Sequence, residues 1–225
     1  MPTAAGEPGD VLSDASGVPL AVSLRSMYAL DPRLVGDGAC LLAMAQRLGL
    51  PVAEGVAVTV AGVETDERLD GLRHAWRHTR GPVSVLLSDR GPRSGLGVGP
   101  SRCDASTWDG LLDGVYATLA YDRLENPTRD GRSWAILVLG VPAGGRRVLA
   151  QSGDRGRVRL WSADGHRAPR WLDRLRVRAL ARQARELLGR PVSLEATRTA
   201  DGDWVITDLR YRVSRIVRSH QPGER

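Results

Sequence analysis

The chain has 225 residues, 42% of them hydrophobic and 26% charged, which excludes wholesale disorder and allows one sizeable core in a single domain or two tight lobes. All 32 cationic side chains are arginine, because lysine is absent; this excludes a Walker A loop, a Schiff-base lysine and any lysine contact to phosphate. The charge is uneven: residues 1–70 hold four arginines against ten carboxylates, and residues 146–190 hold thirteen against four.

Residues 1–18, rich in Gly, Pro, Ala and acid, read as a mobile tail without the positive start of a signal peptide. No apolar run approaches the ~20 residues that span a bilayer, so a cytoplasmic protein is expected. "LAVSL" reads as a strand, and a helix is expected from Gly38 to Leu48, with Gly49 as its C-terminal cap. Asp37 sits where that helix opens and is expected to cap it, its carboxylate accepting the free N–H groups of the first turn. "GVAVTVAG" reads as a buried strand. "TDERLDGLRHAWRHT" reads as a helix with Leu69, Leu72 and Trp76 on one face. His74 and His78, at i and i+4, are either a ligand pair or part of an exposed helix face.

"GPVSVLLS" reads as the next strand. The glycine-rich stretch after it, with Gly91, Gly95, Gly97 and Gly99, is either a flap over phosphates or a surface loop. "STWDGLLDGVYATLAYDRL" is an amphipathic helix with Trp108, Leu111, Leu112, Val115 and Leu119 in helical register. "SWAILVLGV", "RRVLAQS" and "GRVRLWS" read as strands. "PRWLDRLRVRALARQARELLG" is a helix whose Leu172, Leu175, Ala179, Leu187 and Leu188 are expected to pack on a sheet. The arginine-rich 146–190 segment is either a solvated face or a surface for nucleic acid or an acidic partner; nucleic acid is not favoured, because no exposed aromatics are expected among the arginines. Cys40 and Cys103 have neither zinc-site spacing nor disulfide density.

"PVSLEATRTADGDWVITDLRYRV" reads as a β-hairpin with Asp201-Gly202 at its tip. A two-residue turn would set Ala200 against Asp203, and therefore Glu195 against Asp208 and Ser193 against Arg210, all on one face. Two carboxylates opposed at roughly 5 Å repel, so either a cation binds between them or an arginine such as Arg198, Arg210 or Arg212 neutralises them.

The order of these pieces resembles the N-terminal nucleotide-binding domain of the phosphoenolpyruvate synthase and pyruvate phosphate dikinase family. "ALDPRLVGDGACLLAMAQRLGLPVAEGVAVTV" is similar to that family's opening, "GPVSVLLS" to its Val-Arg-Ser-Ser strand, and "TWDGLLDGVYATLAYDR" to the helix that follows. "RALARQARELLGRPVSLEATRTADGDWVITDLR" is similar to its closing helix and hairpin. The resemblance implies an α/β (α+β), ATP-grasp-like fold over residues 19–213, with two lobes of mixed sheets, the terminal hairpin packed on the closing helix, and a C-terminal tail over 214–225.

It also implies ATP or ADP bound with magnesium. Glu195 and Asp208 fall on the metal ligands and Arg210 on the phosphate-contacting arginine; on the flap reading of the glycine-rich stretch, Gly95 and Gly97 would join them at the phosphates. The family's phosphate-binding lysine falls on Asp37, its strand arginine on Leu86 and its adenine-side glutamine on Leu139. No phosphohistidine domain is expected within these residues, so any phosphotransferase activity of the kinase type is expected to need a partner carrying one. The alternatives are a non-catalytic pseudoenzyme that regulates or docks a partner, and an arginine-rich nucleic-acid binder.

Overall fold

The computed structural model describes residues 10–79, 81–89, 102–125, 134–140, 145–153, 156–163 and 170–212. Within these, the first sheet runs β1 (Val11–Ser13), β2 (Pro19–Ser23), β3 (Gly55–Thr59), β6 (Trp134–Gly140), β4 (Val83–Asp89) and β5 (Arg102–Ala105). The second runs β10 (Trp204–Tyr211), β9 (Val192–Arg198), β7 (Arg147–Ser152) and β8 (Val158–Ser162). Every strand pair of both sheets is antiparallel, which corrects the expectation of mixed sheets. Two strands went unforeseen: β1 lies within the expected tail, and β5 directly follows the glycine-rich stretch.

The continuous apolar run of β6 is explained by burial on both faces. Ile136 and Val138 join a core with α3 (Asp70–Thr79) and α4 (Trp108–Glu125); Leu137 and Leu139 join a second core with α1 (Pro32–Arg47). That second core continues into the second sheet through Leu194, Ala196, Ile206 and Leu209, so α1 lies between the sheets. The outer edge of β10 is tied to the segment after α1: Ile206 N–H donates to the Pro51 carbonyl (2.7 Å), and the Ile206 carbonyl accepts from Ala53 N–H (3.0 Å). A short α2 (Val60–Glu64) follows β3 directly.

α5 (Trp171–Leu188) packs on β7, β9 and β8; of the leucines expected to carry that packing only Leu188 lies against the core, partly buried, with Leu180 beside it. Leu172, Leu175 and Leu187 are exposed; the buried stripe is Asp173, Val177, Ala181 and Ala184. The stripe keeps helical spacing, and its small side chains bring the helix close to the sheet. Asp173 is tolerated there because Arg146 Nη1 lies 2.9 Å from its Oδ2.

The hairpin of β9 and β10 differs from expectation at its tip and agrees at its base. Arg198 pairs with Trp204, and the connection from Thr199 to Asp203 is closed by Thr199 N–H to the Asp203 carbonyl (2.8 Å) and Gly202 N–H to the Thr199 carbonyl (3.0 Å). Gly202, at φ 89°, takes the left-handed position of this longer loop. The register of the tip is therefore one residue off the expected one. A bulge between Ile206 and Asp208 restores it, so Asp208 faces Glu195 and Arg210 faces Ser193 as the sequence predicts.

Candidate functional site

The bulge decides which side chains share a face. In an uninterrupted strand Asp208 would follow Ile206 into the core; the extra residue, Thr207, turns Asp208 and Arg210 onto the Glu195 face. Thr207 is fully buried. Its hydroxyl lies 3.3 Å from Glu195 Oε1 and 3.2 Å from the Thr197 hydroxyl, which ties the bulge to Glu195 itself.

Opposite β10, α1 opens in two steps. Asp31 caps the first turn, its Oδ1 accepting Arg33 N–H at 2.8 Å, with Pro32 at the first helical position. The helix then breaks at Gly36 (φ 75°, ψ 168°) and restarts. Gly36 holds the non-helical cap position and has no side chain to cap with. Ser88, at the end of β4, supplies the acceptor instead: its Oγ takes Ala39 N–H at 2.9 Å. Asp37 is thus the first helical residue after the break, and the capping expected of it is done from another strand. Ser88 is 2% exposed, so Ser88→Ala strands a buried N–H and should lower the unfolding free energy by about 1–2 kcal/mol in a urea titration. An unchanged midpoint would mean that Ala39 has another acceptor.

Between α1, β4, β6 and β10 lies a cleft of about 380 Å³. Leu41, Met44, Leu86 and Leu137 give it apolar walls, and Asp37, Asp89, Asp208 and Arg210 supply its charge. Arg210 is held by Asp208 in a two-point pair, Nη2 to Oδ2 at 3.0 Å and Nε to Oδ1 at 3.2 Å, with both side chains about four-fifths buried. Asp208 raises the Arg210 pKa above its usual value, burial opposes, and Asp89 adds to the rise. Burial also pushes up the Cys40 thiol on the cleft wall, helped by the charges of Asp37 and Asp31.

Asp37, Leu86, Asp208 and Arg210, dispersed in sequence, meet in this cleft. Glu195 does not line it; it is 7% exposed on the neighbouring strand, opposite Asp208. Leu139 is fully buried and packs beside Gly55. Gly95 and Gly97 lie outside the described residues. The rings of His74 and His78 stack at 6.0 Å, and among the described residues no group of three or more His, Cys, Asp or Glu is placed to hold a metal. Sequence reasoning missed Ser88, Asp89 and Tyr211 as cleft residues. Their only signal was position, at the ends of the strands that carry Leu86 and Arg210.

No protein-family model matches the chain, and no curated protein matches it. Solved structures do. Biotin carboxylase from Campylobacter jejuni, in complex with β,γ-ATP, is 14% identical with a TM-score of 0.51 over 78% of this chain and 41% of that one. The biotin carboxylase domain of Hydrogenobacter thermophilus 2-oxoglutarate carboxylase, solved with MgADP and bicarbonate, is 12% identical with a TM-score of 0.50 over 81% and 41%. D-alanine–D-alanine ligase from Helicobacter pylori is 10% identical with a TM-score of 0.48. The likeness shows the fold: an α/β, ATP-grasp-like arrangement of two antiparallel sheets with helices. The chain spans about two-fifths of the length of the two biotin carboxylase chains.

Proposed function

We propose that the cleft binds ATP or ADP as its magnesium complex, in a shortened nucleotide-binding domain of the phosphoenolpyruvate synthase and pyruvate phosphate dikinase type that does not complete phosphotransfer alone. The observation that carries this reading is the Thr207 bulge, which sets Asp208 and Arg210 on the Glu195 face and at a cleft bounded by both sheets of an ATP-grasp-like fold. Carboxylate oxygens suit magnesium, which binds through one or two carboxylates and completes its shell with water and phosphate. Asp208 offers such a carboxylate in the cleft lining, and Glu195 faces it from β9, outside that lining. Bound magnesium supplies charge neutralisation for the phosphates.

The chain's own residues set the terms of binding. Asp37, Asp89 and Asp208 line the cleft with Arg210, so the magnesium complex, with less negative charge, is accepted more readily than a bare triphosphate. In the free protein Arg210 and Asp208 neutralise each other; with the magnesium nucleotide bound, Asp208 would hold the metal and Arg210 would be available to a phosphate. With Asp37 and Leu86 where the family has phosphate-binding cations, two charge-assisted bonds of about 1.5–3 kcal/mol each are missing, and affinity is lower by some two to four orders of magnitude. Phosphotransfer would need a partner chain carrying a phosphohistidine domain.

The second reading is a non-catalytic module that docks or regulates a partner and has lost the nucleotide. Leu86 on the cleft wall and Asp37 at the helix opening favour it. Calorimetry and thermal shift with millimolar ATP separate the two. Weak binding that requires magnesium, disappears with EDTA and is lost in Asp208→Asn supports the first. Neither heat nor a shift would end it and leave the docking module.

A further inference from the structure

We propose that the basic flank of α5 binds single-stranded nucleic acid. Arg174, Arg178 and Arg182 recur every four residues along one side of the helix, about 6 Å apart at 1.5 Å per residue. Trp171 and Leu175 share that flank, and both are exposed, Trp171 to 69%. Among the described residues none of the three arginines makes an ion pair. The acid of the first turn, Asp173, is buried and taken by Arg146. The aromatic component that the sequence was expected to lack is therefore present on the surface.

A cavity of about 440 Å³ at the start of the helix adds an independent observation. Arg170, Arg176 and Arg198 line it beside Trp171, and among the described residues Asp173 is the one carboxylate in its lining. Arg176 Nη1 and Arg198 Nε both donate to the Gly202 carbonyl, each at 3.3 Å, which fixes two guanidinium groups at one oxygen without a carboxylate between them. Like charges held this way call for an anion. The cavity and the flank meet at Trp171, whose ring face offers a stacking platform to a base while the arginines follow the phosphates. A lipid surface fits less well. The exposed large apolar residues at this end of α5 are Trp171, Leu172 and Leu175, and beyond them the exposed face carries Arg182, Gln183 and Glu186, with Leu187 the next large apolar residue twelve positions on from Leu175. This surface lies on the opposite side of the second sheet from Glu195 and Asp208, so its test is independent of the nucleotide cleft.

The test is fluorescence anisotropy of the full chain with a labelled oligo(dT) of about 20 nucleotides across a salt series. The expected result is saturable binding at low salt with a log–log slope of about −2 or steeper, since each phosphate neutralised on a single strand contributes about −0.7. Arg178→Ser with Arg182→Ser should make the slope shallower by about 1.4. Trp171→Ala should weaken binding about fivefold or more and leave the slope unchanged. Melting temperatures of both variants check folding, and the substituted residues lie outside the buried stripe. No binding at about 20 mM salt, binding indifferent to both variants, or binding to phosphatidylserine vesicles but not to oligo(dT) would each overturn the proposal. Binding confined to duplex and insensitive to Trp171→Ala would also overturn it.

Discussion

Gly36→Ala should destabilise the protein by about 3–5 kcal/mol, read as a loss of cooperative unfolding amplitude or a large drop in urea midpoint. Two causes add. At φ 75° and ψ 168° the residue occupies a region open essentially to glycine alone. A Cβ built there also meets the Ser88 main chain and comes within 2.6 Å of Ser88 Oγ, so the side chain that caps the restarted helix would be pushed off Ala39. Gly49→Ala is the control, because Gly49 also has a positive φ, 82°, but nothing lies within 4 Å of its Cβ position. It should cost only about 1 kcal/mol. Equal costs at the two glycines would show that the packing of α1 on Ser88 is not what makes Gly36 necessary.

Arg210→Ala should destabilise the nucleotide-free protein by about 1–3 kcal/mol. Removing one member of a fully buried pair typically costs about 3–5 kcal/mol, and the figure here is reduced for residual exposure of 21% and 19%. The cost arises because Asp208 would be left with Asp89 and Asp37 in a cleft with apolar walls. Asp208→Asn in the same background should recover much of the loss, and a double-mutant cycle should return a coupling energy of about 1–3 kcal/mol. Arg210→Ala should also abolish magnesium-dependent ATP binding. A variant as stable as the parent would mean that the pair contributes no net stability in the free state, and the exchange of partners on nucleotide binding would lose its basis.

The apolar periodicities were strong enough to locate most of the elements. β3, β4 and β6 stand out as β-branched runs, α4 and α5 as helical repeats, and the closing hairpin by its Asp-Gly tip. Unforeseen elements such as β1, α2 and β5 are short, with three, five and four residues, too few to show a period. The leucines of α5 do not predict its facing, apart from Leu188, because side-chain size is a poor guide to which face a helix buries. The helix instead turns Val177, Ala181 and Ala184 to the sheet and leaves Trp171 outside.

The sequence alone determined the hairpin and the alternation of its strands, and the expected pairing of Glu195 with Asp208 and of Ser193 with Arg210 agrees with the structure. Its reason for that pairing was incomplete, since a longer loop and a compensating bulge at Thr207 together produce the register assigned to a two-residue turn. The arginine that neutralises Asp208, the strand that caps the helix at Gly36 and the cleft where Asp37 meets Asp208 were decided only by tertiary structure. These contacts join residues far apart in sequence or depend on side-chain rotamers, and local periodicity and propensity contain no information about either.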